Sequence, residues 1–194
     1  MGLSWLVVAV YTYWFIFHDH KYLCISQKED DVDKAGDMLS LFEKIRFILD
    51  WLPDWMLPEG LSPTPGTPHN KHLAITRGDW TWSITGSSAN PDAGRWGTYN
   101  SSFMDEMASM ANARTINTSL WLASPCIIYN STPKGEGGEY WEMRIKAYDW
   151  KIRLHRCHWS EHPFYDAEWY EWKTEWMTKE QIAQELEIDY NTAV

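Results

Sequence analysis

The run Leu3–Phe17 constrains the fold more than any other feature of this chain. It carries no charged residue, and its apolar side chains fall on every side of a helix. A helix that is apolar all round is buried somewhere. A secretory leader would want a basic stretch ahead of the run and small residues after it. Nothing basic precedes the run, and His18-Asp19-His20 follows it. A membrane span needs roughly 20 apolar residues, and this run falls short. It is expected to be a buried helix of an α/β domain, with no membrane as a partner.

Beyond this run the chain alternates between two periodicities. Lys21–Ser26 reads as a buried strand, and residues 27–33 as an acidic turn. Residues 32–52 carry Leu39, Phe42, Ile45, Ile48 and Leu49 at helical spacing and stop at Pro53. Residues 57–69 hold Pro58, Pro63, Pro65 and Pro68 and read as a surface loop. Residues 73–76 and 80–85 look like strands joined by the turn Arg77-Gly78-Asp79. A polar loop with Arg95 spans 86–97, a short strand spans 100–104 and ends at Asp105, and a helix spans 108–122. A strand over 126–130 ends at Ser131, and a helix covers 139–147. A strand is expected over 151–157 and a helix over 166–177. Thr178 opens a last helix, with Gln181 completing a capping box. This alternation predicts a mostly parallel sheet with helices on both faces. In such sheets chemistry gathers at the carboxyl ends of the strands, where Ser26, Asp105 and Ser131 are expected.

Composition narrows the function. A chain of 194 residues suits a single domain with a real core. Its formal net charge of -10 disfavours broad electrostatic binding of nucleic acid, which needs Lys and Arg. Three cysteines, Cys24, Cys126 and Cys157, make a poor disulfide framework and fit a reducing cytoplasm. The 14 tryptophans are expected to serve mostly in packing.

Three motifs carry chemistry. Phe103-Met104-Asp105-Glu106 ends a short strand in two carboxylates. In a nucleotide site the Asp would hold magnesium through water, and the Glu would orient an attacking water. Tyr129-Asn130-Ser131-Thr132-Pro133-Lys134-Gly135 ends the next strand in hydroxyls suited to sensing a γ-phosphate. Gly2-Leu3-Ser4 runs straight into a helix, as a phosphate-binding loop does. It has the glycine and the hydroxyl, but Leu3 stands where the lysine would be.

Taken together, these motifs resemble the large subunit of the tailed-phage terminase, the DNA-packaging motor, over its ATPase domain from Gly2 to about Tyr190. The resemblance also takes in Leu23-Cys24-Ile25-Ser26, Asp50-Trp51-Leu52-Pro53 and residues 159–163. It implies a P-loop NTPase-like fold using ATP and Mg2+. It implies that Gly2 and Ser4 bind the nucleotide, with Ser4 and Asp105 on the magnesium, and that Glu106 is the catalytic carboxylate. It also implies that Ser131 and Thr132 couple hydrolysis to DNA movement and that Arg95 stabilises phosphate charge. The partners implied are double-stranded DNA, the portal protein, the small terminase subunit and further copies in a ring, in a host bacterial cytoplasm. The resemblance leads one to expect that the first strand, which would sit beside the one ending in Asp105, is missing with most of the phosphate cradle. It likewise implies that the nuclease domain is absent. Two rivals stand beside this reading: a helicase-like or recombination ATPase, and a catalytically silent remnant or interaction protein.

Other clusters read as structural. His155, Cys157, His158 and His162 suggest zinc, but alternation along the expected strand splits them between faces. Trp169, Trp172 and Trp176 are expected to form a packing stripe. Glu29-Asp30-Asp31 and Asp33 are expected to be a solvated helix start, where acids complement the dipole.

Overall fold

A computed structural model describes residues 2–78, 81–149 and 151–192. The chain forms two compact units, residues 2–130 and residues 131–192.

The first unit is α/β. Helix α1 (Leu3–Phe17) starts at Gly2, which is left-handed, and ends where His18 turns extended. Its apolar surface is used on one side. Val7, Val8, Tyr11, Phe15 and Ile16 are buried, while Leu6, Tyr13, Trp14 and Phe17 are exposed. The helix expected to be buried is buried on one face only, the face that meets the sheet and α3 (Leu41–Trp51). Helix α3 is capped by Ser40, whose Oγ accepts from the Glu43 amide at 3.3 Å. It ends at Trp51, just ahead of Leu52-Pro53, as a residue before proline disfavours helix. Leu41, Phe42, Ile45 and Leu49 form its buried stripe. The single helix expected over 32–52 is instead the short α2 (Glu29–Val32) and α3. Between them Gly36 adopts φ 80 and Asp33 turns inward.

The sheet has six strands: β1 (Lys21–Ser26), β2 (Asn70–Lys71), β3 (Ala74–Arg77), β4 (Trp82–Ser88), β5 (Ser101–Asp105) and β6 (Ile127–Asn130). Their order is β2-β3-β4-β1-β5-β6. Strands β4, β1, β5 and β6 run parallel, and β2 and β3 are antiparallel additions. Asp79 and Trp80, in the expected turn and strand, lie outside the described residues. Strand β4 runs on to Ser88, into the stretch expected to be loop. Gly86 makes this possible: a Cβ there would lie 2.6 Å from Val32 Cγ1 and 2.9 Å from Phe42 Cε2.

Alternation along β1 divides the core. Tyr22 and Cys24 join Ile84, Phe103, α1 and α3 on one face. On the other face Leu23 lies near Gly94 and Leu120 of helix α4 (Ala113–Ala123). Helices therefore cover both faces. Strand β5 carries two buried hydroxyls: Ser101 Oγ and Tyr11 OH are 2.7 Å apart, whereas the Ser102 Oγ has no hydrogen-bond partner among the described residues. Burial pushes the Tyr11 and Cys24 acids far up, so both stay neutral. Strand β5 is paired on both sides, by β1 and by β6. A strand lying directly beside it, as the resemblance implied, has no place there.

The second unit is helical: α5 (Gly138–Tyr148), α6 (Ala167–Thr174) and α7 (Lys179–Ile182), which widens into a π turn over Ala183–Glu187. The strand expected over 151–157 does not form. A strand needs a neighbour for its ladder, and no other strand is found among the described residues 131–192. Arg156 instead donates to the Glu187 carbonyl. The buried apolar side chains are few: Met143, Ala147, Ala183, Leu186 and Tyr190.

The tryptophans reverse their expectation. No described tryptophan is buried. Trp172 is 65% exposed and Trp176 is 85% exposed, so the stripe expected with Trp169 is surface rather than core. Helix α6 also ends at Thr174, before Trp176.

Candidate functional site

The parallel strands deliver their carboxyl ends to one edge of the first unit. Ser26 is level with Ser88, Ile25 with Met104, and Asp105 with Asn130. Ser26 and Asp105 thus stand where the sequence placed them, and Ser131 directly follows the last residue of β6.

Asp105 is the electrostatic centre of that edge. Asn130 Nδ2 donates to its carboxylate at 2.6 Å. Desolvation raises its pKa, outweighing the Asn130 hydrogen bond and the attraction of Lys44, with Asp31 adding repulsion and the Glu106 amide opposing. Glu106 follows in the left-handed region at φ 56, half-buried, capping the short turn Met107–Ser109. That conformation costs about 1 kcal/mol or more for a residue with a side chain. It turns the chain sharply at the strand end, so α4 begins at Ala113 rather than at residue 108.

Ser4 reaches the same edge from the first turn of α1. Its Oγ accepts from Lys44 Nζ at 3.3 Å, and the same ammonium donates to the Leu39 carbonyl at 2.8 Å. Lys44 is only 7% exposed. Burial lowers its pKa, and Asp105 and Asp37 pull it back up. Lys44 and Asp105 attract each other, yet the hydrogen bonds of Lys44 go to Ser4 and Leu39. Gly2 precedes the helix with no side-chain cap, and the first turn of α1 has no acid.

Arg95 is held by other partners. The Arg95 guanidinium sits 3.2 Å from Asp92 and 3.4 Å from Ser119 of α4. Ser131 and Thr132 belong to the second unit, where the Ser131 carbonyl accepts from Tyr140 at 3.1 Å and Thr132 Oγ1 from Gln184 at 3.4 Å. Among the described residues no group of three His, Cys, Asp or Glu is arranged to hold a metal ion. The hydroxyl of Ser4 and the carboxylate of Asp105 are hard oxygen donors. Oxygen donors of this kind are the ones magnesium takes.

Sequence reasoning missed Lys44 and Asn130. Lys44 had a readable signal, since it falls on the apolar stripe of Leu41, Ile45 and Ile48, where a cation is out of place. Asn130 ends the strand beside Asp105, and only the register reveals the contact.

Asp33 is the largest correction. Rather than being solvated, it is buried at 4% exposure and accepts from Arg46 at 2.6 Å and 2.9 Å. It also accepts from the Leu73 amide at 2.7 Å. This pair pins α3 to the turn before it and to β3.

No helix among the described residues is long and apolar enough to cross a membrane. No family model matches the chain, and no curated protein matches it either.

Proposed function

We propose that this chain is the ATPase part of a DNA-packaging motor of the terminase large-subunit kind. Its chemistry is magnesium-dependent ATP hydrolysis coupled to the movement of double-stranded DNA. One observation supports the reading most. A buried lysine that hydrogen-bonds Ser4 in the first turn of α1 is also within electrostatic reach of Asp105 at the end of β5.

In this reading the first-turn amides of α1 take the phosphates, since they lack intrahelical partners. Ser4 and Asp105 would hold Mg2+, which when bound neutralises the charge that develops on the phosphates. Asn130 fixes the Asp105 carboxylate in one orientation. Glu106 holds the attacking water. Ser131 and Thr132 pass the change on through Tyr140 and Gln184. The portal protein, the small terminase subunit and further copies of the chain are the partners of this reading.

The test is a titration of ATP into the whole chain with and without magnesium, followed by turnover assays. Weak, magnesium-dependent binding is expected, with slow turnover that rises with portal protein and double-stranded DNA and disappears in Glu106→Gln. A chain that binds no nucleotide at any magnesium concentration would sink the proposal. Stimulation by single-stranded DNA, with none from portal protein, would move it to the helicase class.

A further inference from the structure

Lys44 is in an uncomfortable place. Lys44 as a whole is nearly excluded from water, and its ammonium sits against the first turn of α1. The N-terminal end of a 15-residue helix carries positive partial charge, and here neither a capping side chain nor a first-turn acid offsets it. Two positive centres therefore meet where Lys44 Nζ lies 3.3 Å from Ser4 Oγ. The acids within electrostatic reach, Asp105 and Asp37, attract Lys44 but leave its hydrogen bonds to a hydroxyl and a carbonyl. A buried cation is tolerated when it is paired. The group that would complete this arrangement is an anion lying between Lys44, Ser4 and the first-turn amides.

We infer that Lys44, reaching in from α3, is the phosphate-binding cation of the site and does the work that Leu3 cannot do. The inference rests on the ATP reading and adds a residue to it. A phosphate-binding loop normally brings its lysine from the residue before the hydroxyl. Here the hydroxyl, Ser4, comes from α1, and the ammonium comes from a helix 40 residues further along. With a nucleoside triphosphate bound, Ser4 Oγ would be free to hold the magnesium ion, which would supply charge neutralisation at the phosphates. Lys44 Nζ then exchanges its contact with Ser4 for a phosphate oxygen and keeps the Leu39 carbonyl as its anchor.

The experiment titrates β,γ-imido-ATP with magnesium, and separately adenosine, into the full chain and its variants. Lys44→Met removes the charge and keeps the length. It is expected to weaken imido-ATP binding roughly tenfold or more, the scale of a lost charge-assisted hydrogen bond. Adenosine binding should be unchanged. Lys44→Arg is expected to keep most of the triphosphate affinity. If Lys44→Met fails to fold, Lys44→Gln retains a donor for Leu39 and removes only the charge. Equal loss of both ligands in the neutral variants would make Lys44 merely structural and overturn the inference. Unchanged imido-ATP affinity would overturn it too, while leaving the ATP reading intact. A wild-type chain that binds no imido-ATP takes both down together.

Discussion

Residues 2–130 enclose several aromatic rings completely, whereas the described residues of 131–192 enclose only Tyr190 and stack most of their rings at the surface. In the first unit Tyr11, Phe15, Tyr22, Phe42 and Phe103 are wholly enclosed, with rings such as Tyr11 and Tyr22 stacked 4.5 Å apart. In the second unit Tyr165 and Trp169 stack at 3.8 Å, Trp159 and Tyr170 at 4.5 Å, and none of the four is buried. A sheet offers a broad surface on which helices can bury whole rings, each worth roughly 1.5–3 kcal/mol. Short helices without a sheet can only lay rings against one another, which contributes roughly 0.5–1.5 kcal/mol per pair beyond area burial. The first unit is therefore held by its interior, and the second by local contacts and helix ends.

The sharpest way to break that contrast is through the interior ion pair. Asp33→Ala leaves the Arg46 guanidinium buried with its main partner gone, although Asn70 still accepts from Nε at 3.1 Å and the Glu43 carboxylate still lies 3.4 Å from Nη1. A loss of about 3 kcal/mol is expected in the first unit, the low end of the cost of breaking a buried pair, because Glu43 keeps part of the compensation. Chemical denaturation of Asp33→Ala, Arg46→Ala and the double variant measures it. The double variant should cost much less than the sum of the singles. Additive losses would mean that the pair does not act as a pair, and that the interior is not what holds this unit.

The sequence told much of this, and its failures have physical causes. Helices α1 and α5 and strands β1, β5 and β6 were legible because apolar spacing and turn residues agreed there. Asp33 was misread because a run of acids looks solvated until Arg46 is known to lie opposite. The strand over 151–157 was misread because β-pattern says nothing about whether a neighbour exists to pair with it. At the site, Asp105 and Ser4 were visible as types at strand and helix ends. Lys44 and Asn130 were not identified, since their roles depend on register and on the crossing of α1 by α3. Arg95 shows the converse: a suitable residue type in a suitable loop that folds onto Asp92 and Ser119.

A smaller effect sharpens the contrast inside the first unit, between its core and the sheet edge that holds Asp105. Desolvation raises the Asp105 pKa, so the folded state keeps the proton to a higher pH than the unfolded chain does. Asp105 therefore costs nothing below the ordinary value of 3.8, and its penalty grows as pH rises through the folded value. Asp105→Asn keeps an oxygen for Asn130 Nδ2 and removes the charge. It should stabilise the unit by about 1 kcal/mol at neutral pH. The gain should fade as the pH falls towards the ordinary carboxylate range, while magnesium-dependent nucleotide binding is lost. Thermal melts of both proteins across pH check this. Destabilisation at neutral pH would show that the Lys44 attraction outweighs burial, the reverse of the balance that raises this pKa.

The smallest effect belongs to the second unit, and it asks whether local devices carry that unit. Thr178 Oγ1 accepts from the Gln181 amide at 3.2 Å, and Gln181 Oε1 accepts from the Thr178 amide at 2.9 Å. This capping box is exposed, so Thr178→Ala itself opens no cavity. Thr178→Ala loses one arm of it and should cost about 0.5–1 kcal/mol. The helix it starts has only four residues before it widens into the π turn. A helix so short has little propagation to offset its nucleation, so loss of the cap should open the whole stretch rather than fray one end. Amide hydrogen exchange is therefore expected to quicken across residues 179–187, with Leu186 and Tyr190 losing their enclosure. Protection in β1 and β5 should be unchanged. If exchange quickened in β1 and β5 as well, the second unit would not stand on its own caps and stacks, and the division between an interior-held and a locally held region would fall.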